Sequence, residues 1–228
     1  MKHTLSILAI LLVFLIFSCK NEAEQQDTPT ETQQETSVET PKQTTKKRIV
    51  FFGNSLSAGY GLENIDQGFV GLIEKRIDSL ELNYEVVNAG LSGETTAGGL
   101  SRIDWTIDDP IDVFVLELGG NDALRAIDAQ TAMDNLQGII DKVKSKYPEA
   151  TIVLAGMQAP RNLGNAYTKS FESIYPKLAA KNDLALIPFL LEDVAAEAAL
   201  NLPDGIHPNV KGHQIVAENV WEVLEDLL

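Results

Sequence analysis

Three residues of this chain have the types and the spacing that acyl transfer requires. Ser55 lies in a turn of small residues that follows the strand-like run 48–52, which is apolar from residue 49 onward. His207 follows Asp204 by three positions in one short loop, so the carboxylate can reach the imidazole and fix its tautomer. Acyl transfer needs a hydroxyl nucleophile, a base and a group that orients the base. Ser55, His207 and Asp204 are therefore predicted to be the catalytic residues.

The choice of His207 as the base follows from the positions of the other histidines. His3 lies in the predicted signal peptide, and His213 is predicted to lie on the surface of the last helix. His207 alone stands in a loop at the predicted edge of a sheet.

Donors for the developing oxyanion are also present. Asn121 supplies a side-chain N–H₂ group, and the backbone N–H groups of Ser55 and Gly93 can converge with it. Glycine at position 93 has no Cβ, which lets the backbone approach closely. These three residues are the predicted oxyanion hole.

Each feature has an ordinary structural explanation when taken alone. Ser55 suits a simple turn, residues 204–205 form an Asp-Gly turn signal, and His207 suits a surface loop. The turn 53–57 could also cradle the phosphate of a flavin or another ligand at a helix start. A phosphate site leaves Asp204, His207 and Asn121 unexplained, so the conjunction of separate loops favours catalysis.

The elements that must position these residues alternate between strand-like and helix-like patterns. Predicted strands cover 48–52, 84–89, 111–118, 151–155 and 184–189, and predicted helices cover 68–80, 95–107, 129–146, 166–181 and 210–228. This alternation predicts an α/β fold, a flavodoxin-like three-layer α/β/α sandwich around a five-stranded parallel sheet of order 2-1-3-4-5. That order places the loop carrying Ser55 beside the loop carrying Asn121.

The chain resembles the SGNH or GDSL-like hydrolases from residue 49 to the carboxyl end. The segments 55–61, 92–99, 118–125, 167–178 and 204–208 match the blocks of the bacterial thioesterase I, lysophospholipase and arylesterase branch in order. Asn54 departs from the aspartate usual in the family. The nucleophile elbow of the α/β-hydrolase fold, Gly-x-Ser-x-Gly, is not matched, because position 57 is serine.

The resemblance implies a serine esterase that works through an acyl-enzyme, with no cofactor and no metal. Expected substrates are short-to-medium acyl esters, lysophospholipids or thioesters. The alternatives are a carbohydrate O-acetyl esterase and a weakly active surface-anchored binding protein. Five residues after strand ends could line an acyl groove or could only pack loops: Leu124, Met157, Pro160, Leu163 and Tyr167.

The amino-terminal region differs in composition from the rest. Residues 1–18 read as a signal peptide, because the apolar stretch is too short to span a bilayer. Cys19, the one cysteine, resembles a lipobox cysteine that becomes lipidated, and residues 19–47 read as a disordered tether rich in Glu, Gln and Thr. The sequence thus predicts an exported, membrane-anchored lipoprotein, periplasmic or on the cell surface, with a hydrolase domain over 48–228.

Net charge restricts the partners of this chain. The formal charge of −15 disfavours binding to nucleic acid or to anionic lipid surfaces. The expected partners are a small-molecule or lipid ester substrate and a membrane reached through the lipid anchor. An exported and acidic enzyme should seldom meet acyl-CoA, which is cytosolic and polyanionic.

Overall fold

A computed structural model describes residues 45–228 of the 228-residue chain. The predicted signal peptide, the lipidation of Cys19 and the tether up to residue 44 lie outside the described residues. Lys47 already belongs to the first strand, so the strand begins one residue before the predicted start at residue 48.

A five-stranded sheet forms the centre of the fold. The strands are β1 (Lys47–Gly53), β2 (Tyr84–Gly90), β3 (Val113–Glu117), β4 (Thr151–Ala155) and β5 (Ala185–Ile187). They pair in parallel in the order β2-β1-β3-β4-β5, as predicted. Every residue of β3 is buried, as are the last five of β1. This is the expected state of central strands covered on both faces.

Helices cover both faces of the sheet. They are α1 (Ser55–Ala58), α2 (Phe69–Ser79), α3 (Thr96–Thr106), α4 (Gly120–Leu124), α5 (Ala129–Lys146), α6 (Asn165–Glu172), α7 (Ile174–Asn182) and α8 (Val210–Leu224). One layer pairs α2 with α8, and the other pairs α3 with α5 and α5 with α7. Across residues 45–228, no helix is both long enough and apolar enough to cross a membrane.

Two helices differ from the sequence-based expectation. The helix predicted over 166–181 is two helices that meet at Ser173. Pro176 has no N–H to donate to the carbonyl of Glu172, and its ring crowds the preceding turn, so the helix breaks there. The last helix ends at Leu224 and continues as a 3₁₀ turn over Glu225–Leu227.

Two short helices follow strand ends without a helical pattern in the sequence. The four-residue α1 follows β1 and the five-residue α4 follows β3. Segments this short show no apolar periodicity, since one helical turn takes 3.6 residues. Both begin at the carboxyl edge of the sheet, where open α/β folds hold their sites.

Candidate active site

The turn that carries Ser55 is buried and capped by its own side chains. Asn54 is the N-cap of α1, and its Oδ1 accepts a hydrogen bond from the N–H of Leu56 at 3.1 Å. The same oxygen lies 3.3 Å from Ser55 Oγ. Asparagine ranks with aspartate as an N-cap residue, so the departure from the family pattern keeps the cap. Ser55 is 7% exposed.

Glu117 holds this turn from the neighbouring strand. It lies opposite Gly53 in the β1–β3 pairing and is 1% exposed. Its Oε2 accepts hydrogen bonds from the N–H of Asn54 (3.0 Å), the N–H of Ser57 (3.3 Å) and the Ser57 hydroxyl (2.8 Å). Burial raises the pKa of Glu117 to about 7, although these hydrogen bonds and the Asn54 side chain oppose the shift. Any Cβ at position 53 would clash with Ser57 Oγ and Glu117 Oε2, so glycine is required there.

The acid–base pair is a local structure within one loop. His207 Nε2 lies 2.9 Å from Ser55 Oγ, and His207 Nδ1 lies 2.7 Å from Asp204 Oδ2. The other carboxylate oxygen of Asp204 accepts from the N–H groups of Ile206 (2.9 Å) and His207 (3.0 Å). Partial burial opposes ionisation, but the bonds from the N–H groups of His207 and Ile206 and from the imidazole lower the pKa of Asp204 to about 2.

This arrangement assigns the imidazole tautomer by its partners. An ionised Asp204 accepts the hydrogen on Nδ1, which leaves the Nε2 lone pair facing the Ser55 hydroxyl. His207 in this state can remove the hydroxyl proton, while Asp204 stabilises the imidazolium that forms. The chemistry available to the site is that of an activated serine hydroxyl.

Backbone bonds and one aromatic ring fix the position of the His207 loop. Leu202 donates its N–H to the carbonyl of His207 at 2.7 Å, and the N–H of Asn209 donates to Leu200 at 2.9 Å. The ring of Tyr60, which follows α1, packs against the imidazole with centroids 4.5 Å apart. Tyr60 thus links the nucleophile turn to the acid–base loop.

The three predicted oxyanion donors follow three neighbouring strands. Among residues 45–228, neither the N–H of Ser55 nor that of Gly93 has a hydrogen-bond partner, so both are free to bind an oxyanion. One hydrogen on Asn121 Nδ2 is donated to the carbonyl of Glu94 at 3.0 Å, which leaves the second available.

The backbone conformation gives a further reason for glycine at position 93. A Cβ there would meet no atom of residues 45–228 within 4 Å, so no contact with the protein itself requires glycine. The backbone φ of Gly93 is +84°, in the left-handed region that glycine enters without strain.

Two sets of contacts to carboxylates fix the segment that follows Gly93. Thr96 donates its N–H (2.9 Å) and its hydroxyl (2.6 Å) to the two carboxylate oxygens of Asp122. Arg102 pairs with Glu94 at 2.6 Å and also donates to the carbonyls of Gly53 and Ala89 at the ends of β1 and β2. The loops after β1, β2 and β3 are therefore tied together in one frame.

A cleft of about 860 Å³ opens beside Ser55 and His207. Its wall includes Leu124, Met157 and Pro160, three of the five predicted groove residues. The other apolar side chains around it are Leu56, Ala159, Phe189, Leu191, Ala195, Ala196 and Ile206, and its acids are Glu192, Asp193 and Glu197.

Leu163 and Tyr167, the other two predicted groove residues, are not among the residues that line this cleft. The Tyr167 hydroxyl donates to the carbonyl of Ile127 at 2.7 Å, and its ring packs against Phe171 at 5.8 Å. The 3₁₀ turn Arg161–Leu163 presents Arg161 to the cleft and leaves Leu163 outside it.

His213 is also placed differently from the prediction, since it is 1% exposed rather than on the helix surface. Its Nδ1 accepts a hydrogen bond from the N–H of Phe69 at 3.2 Å. Burial, with a smaller contribution from the charge of His207, lowers the pKa of His213 to about 4. His213 is therefore a neutral residue that joins α8 to the start of α2, away from Ser55.

Sequence reasoning missed two residues that contact the site, Glu117 and Tyr60. Glu117 had a signal, because a carboxylate inside an apolar strand needs a buried partner. Tyr60 had none, since an aromatic residue after a turn is common. Within residues 45–228, no cluster of His, Cys, Asp and Glu side chains is arranged to hold a metal ion.

Comparison with known proteins places this geometry in a family. The model of the GDSL-like Lipase/Acylhydrolase family matches residues 51–215. The chain is 37% identical to Esterase TesA of Pseudomonas aeruginosa over 188 residues, which cover 82% of this chain and 92% of that protein. It is 34% identical to thioesterase 1/protease 1/lysophospholipase L1 of Escherichia coli K12, covering 79% of this chain and 84% of that one.

A solved structure agrees with the sequence relatives. The fold superposes on a crystal structure of TesA with a TM-score of 0.76 at 37% identity, covering 80% of this chain and all of that one. The resemblance inferred from the sequence blocks is thereby confirmed, together with the order of the sheet. The chain belongs to the GDSL-like lipase/acylhydrolase family and has the SGNH hydrolase fold.

Proposed function

We propose that this carboxylic ester hydrolase acts through a covalent acyl-enzyme formed on Ser55. The observation that carries the proposal is the continuous chain of hydrogen bonds from Ser55 Oγ through His207 to Asp204, at 2.9 and 2.7 Å. Ser55 and His207 border a cleft whose size suits a small substrate. Family membership supports esterase chemistry, and the hydrogen-bond geometry supports these three residues as the ones that carry it out.

The reaction takes place in two stages. His207 Nε2 removes the proton of Ser55 as the oxygen attacks the ester carbonyl, and the same proton then passes to the leaving alcohol. Water next attacks the acyl carbonyl while His207 Nε2 accepts its proton, and the same proton then passes to Ser55 Oγ as the bond between that oxygen and the acyl group breaks and the acid leaves. Asp204 holds the imidazole through Nδ1 in both stages.

The oxyanion that forms in each stage needs donors that are fixed before the reaction. The N–H groups of Ser55 and Gly93 and the second hydrogen of Asn121 are suited to this role, because none is engaged by another group in residues 45–228. Donors held in place by the surrounding loops cost no reorganisation when charge develops.

The cleft wall favours neutral or zwitterionic esters with an apolar acyl group. Leu124 and Met157 supply apolar surface in the same cleft as Ser55. The carboxylates of Glu192, Asp193 and Glu197 outnumber the one guanidinium of the cleft wall, that of Arg161, so the balance of charge disfavours anionic groups. The net charge of −15 acts in the same direction over longer range. Short-to-medium acyl esters and lysophospholipids fit this cleft better than acyl-CoA, and the names of the esterase and lysophospholipase relatives support the choice.

The experiment that tests this function is a series of p-nitrophenyl esters with acyl chains of two to twelve carbons. We expect hydrolysis by the natural protein and a loss of at least about 10³-fold in the Ser55→Ala variant, since the nucleophile is gone. Equal rates in the two proteins would eliminate the serine mechanism. Slow hydrolysis of acyl-CoA compared with fast hydrolysis of a neutral ester would support the proposed preference for neutral or zwitterionic substrates.

We also propose that the protein is exported and anchored through a lipid on Cys19. The apolar stretch before Cys19 and the polar segment after it support this reading. Growth with an alkyne-tagged fatty acid should label the natural protein and leave Cys19→Ser unlabelled. A soluble, unlabelled natural protein would contradict the anchor.

A further inference from the structure

Three donors on the two sides of Ser55 converge on one buried oxygen. Glu117 Oε2 accepts from the N–H of Asn54, before the serine, and from the N–H and hydroxyl of Ser57, after it. The contact spans 60 or more positions of the sequence, so it is not part of the local turn. Both ends of the turn are thus fixed to the end of β3.

The position of this carboxyl is unusual for its strand. All four residues before it in β3 are apolar and buried (Val113–Leu116). Glu117 itself is only 1% exposed. Its other oxygen, Oε1, has no hydrogen-bond partner in residues 45–228. A buried carboxyl is costly, and an apolar residue would complete the strand more cheaply. A role beyond packing explains why an acid stands there.

One backbone N–H of the Ser55 turn makes no hydrogen bond within residues 45–228, although its neighbours do. The N–H of Asn54 and that of Ser57 bind Glu117, and the N–H of Leu56 binds the Asn54 side chain. The N–H of Ser55 has no partner in residues 45–228. The capping pattern therefore fixes the direction of the Ser55 N–H while keeping it unoccupied.

We propose that Glu117 is a positioning residue for ester hydrolysis, which orients the Ser55 turn so that its N–H stabilises the oxyanion. This inference rests on the proposed role of Ser55. Glu117 is not among the residues that line the cleft, whereas Asn54, whose N–H donates to Glu117, does line it. The Tyr175 hydroxyl donates to the carbonyl of Leu118, the residue after Glu117, and its pKa is raised mainly by burial, with smaller contributions from the charges of Asp122 and Glu117.

The role depends on an accepting oxygen at this position rather than on a negative charge. A glutamine carbonyl oxygen can accept the same three hydrogen bonds in the same place. A leucine of similar volume accepts none and leaves three buried donors unpaired. Removal of the Ser57 hydroxyl deletes one donor and leaves the two backbone contacts.

The test compares Glu117→Gln, Glu117→Leu and Ser57→Ala by steady-state kinetics on a p-nitrophenyl ester. We expect kcat of Glu117→Gln to stay within about threefold of the natural protein, and kcat of Ser57→Ala to fall roughly threefold to tenfold. For Glu117→Leu we expect kcat to fall about 10²-fold or more while KM changes less than about threefold, as for loss of an oxyanion donor. The rate of phosphonylation of Ser55 should fall in parallel with kcat.

Three results would overturn the inference. A folded Glu117→Leu protein with near-natural kcat removes the positioning role. A Glu117→Gln protein as impaired as Glu117→Leu means that charge, not geometry, is the requirement. If Glu117→Leu does not fold, the test depends on Ser57→Ala, and an unchanged kcat in that variant would contradict the positioning role of Glu117. The Ser55→Ala protein, measured alongside, tests the proposed function separately.

Discussion

The two halves of the proposed catalytic machinery are built in opposite ways. The turn of Ser55 is buried and is held by Glu117, more than 60 positions away. The pair Asp204 and His207 is held within four residues, and the Asp204 side chain is 36% exposed. The nucleophile thus depends on the folded sheet, whereas the acid–base pair depends on its own loop.

This difference shows where each half is vulnerable. Substitutions in the exposed loop should remove chemistry and leave the fold intact, because water can solvate what they leave behind. Substitutions behind the turn should change the stability of the protein as well, since they leave buried groups without partners.

The largest expected effect is that of His207→Ala. Loss of the base should lower kcat by about 10⁴-fold or more, because no other described group lies within hydrogen-bond distance of Ser55 Oγ except Asn54. The thermal unfolding midpoint should change little, since the loop is exposed. A kcat within tenfold of natural would show that another group accepts the proton.

Asp204→Asn should have the next largest effect. The amide oxygen can still accept from the loop N–H groups, but the negative charge that stabilises the imidazolium is lost, and the tautomer is no longer fixed. We expect kcat to fall roughly 10³-fold, less than for a fully buried aspartate because water can reach this site. Steady-state kinetics on a neutral ester, with circular dichroism to verify the fold, measures it. A decrease in kcat of only a few fold would show that a group other than Asp204 orients His207.

Asn121→Ala tests the proposed oxyanion donors. Removal of one oxyanion donor should reduce kcat by about 10²–10³-fold and leave KM nearly constant. Asn121→Asp, of the same size, is the matched variant and should be at least as impaired, because it puts an acceptor where a donor is needed. An increase in KM at constant kcat would instead assign Asn121 to substrate binding.

Glu117→Gln tests how the buried carboxyl behind the Ser55 turn affects the stability of the protein. The folded pKa of Glu117 is raised from 4.5 to about 7, so the folded state retains a proton that the unfolded state loses between these values. The natural protein should therefore lose up to about 3 kcal/mol of stability as the pH rises from 4.5 to 7. We would measure urea unfolding of both proteins at pH 5 and pH 8. The free energy of unfolding of Glu117→Gln, relative to that of the natural protein, should be higher at pH 8 than at pH 5. An equal difference at both values would contradict the raised pKa.

The same contrast explains how much the sequence could predict. Asp204 and His207 lie three positions apart, so their contact can be derived from spacing alone. The sheet order followed from the alternation of strands and helices, and the order was confirmed. Glu117 could not be assigned to the serine turn, because the contact requires the register that pairs it with Gly53.

Two side chains depend on contacts that the sequence does not show. For Tyr167 the sequence left open whether it lines a groove or packs a loop, and in the structure its hydroxyl donates to the carbonyl of Ile127. His213 looked like a surface histidine because a single polar residue on a helix gives no sign of what packs against it. Its partner, the N–H of Phe69, lies 144 positions away.

The most direct test of the central claim is covalent trapping with a p-nitrophenyl alkylphosphonate, followed by peptide mass spectrometry. The account predicts one equivalent of adduct on Ser55, no adduct in Ser55→Ala, and much slower labelling in His207→Ala. An adduct on another residue, or labelling of Ser55 at an unchanged rate without His207, would contradict it.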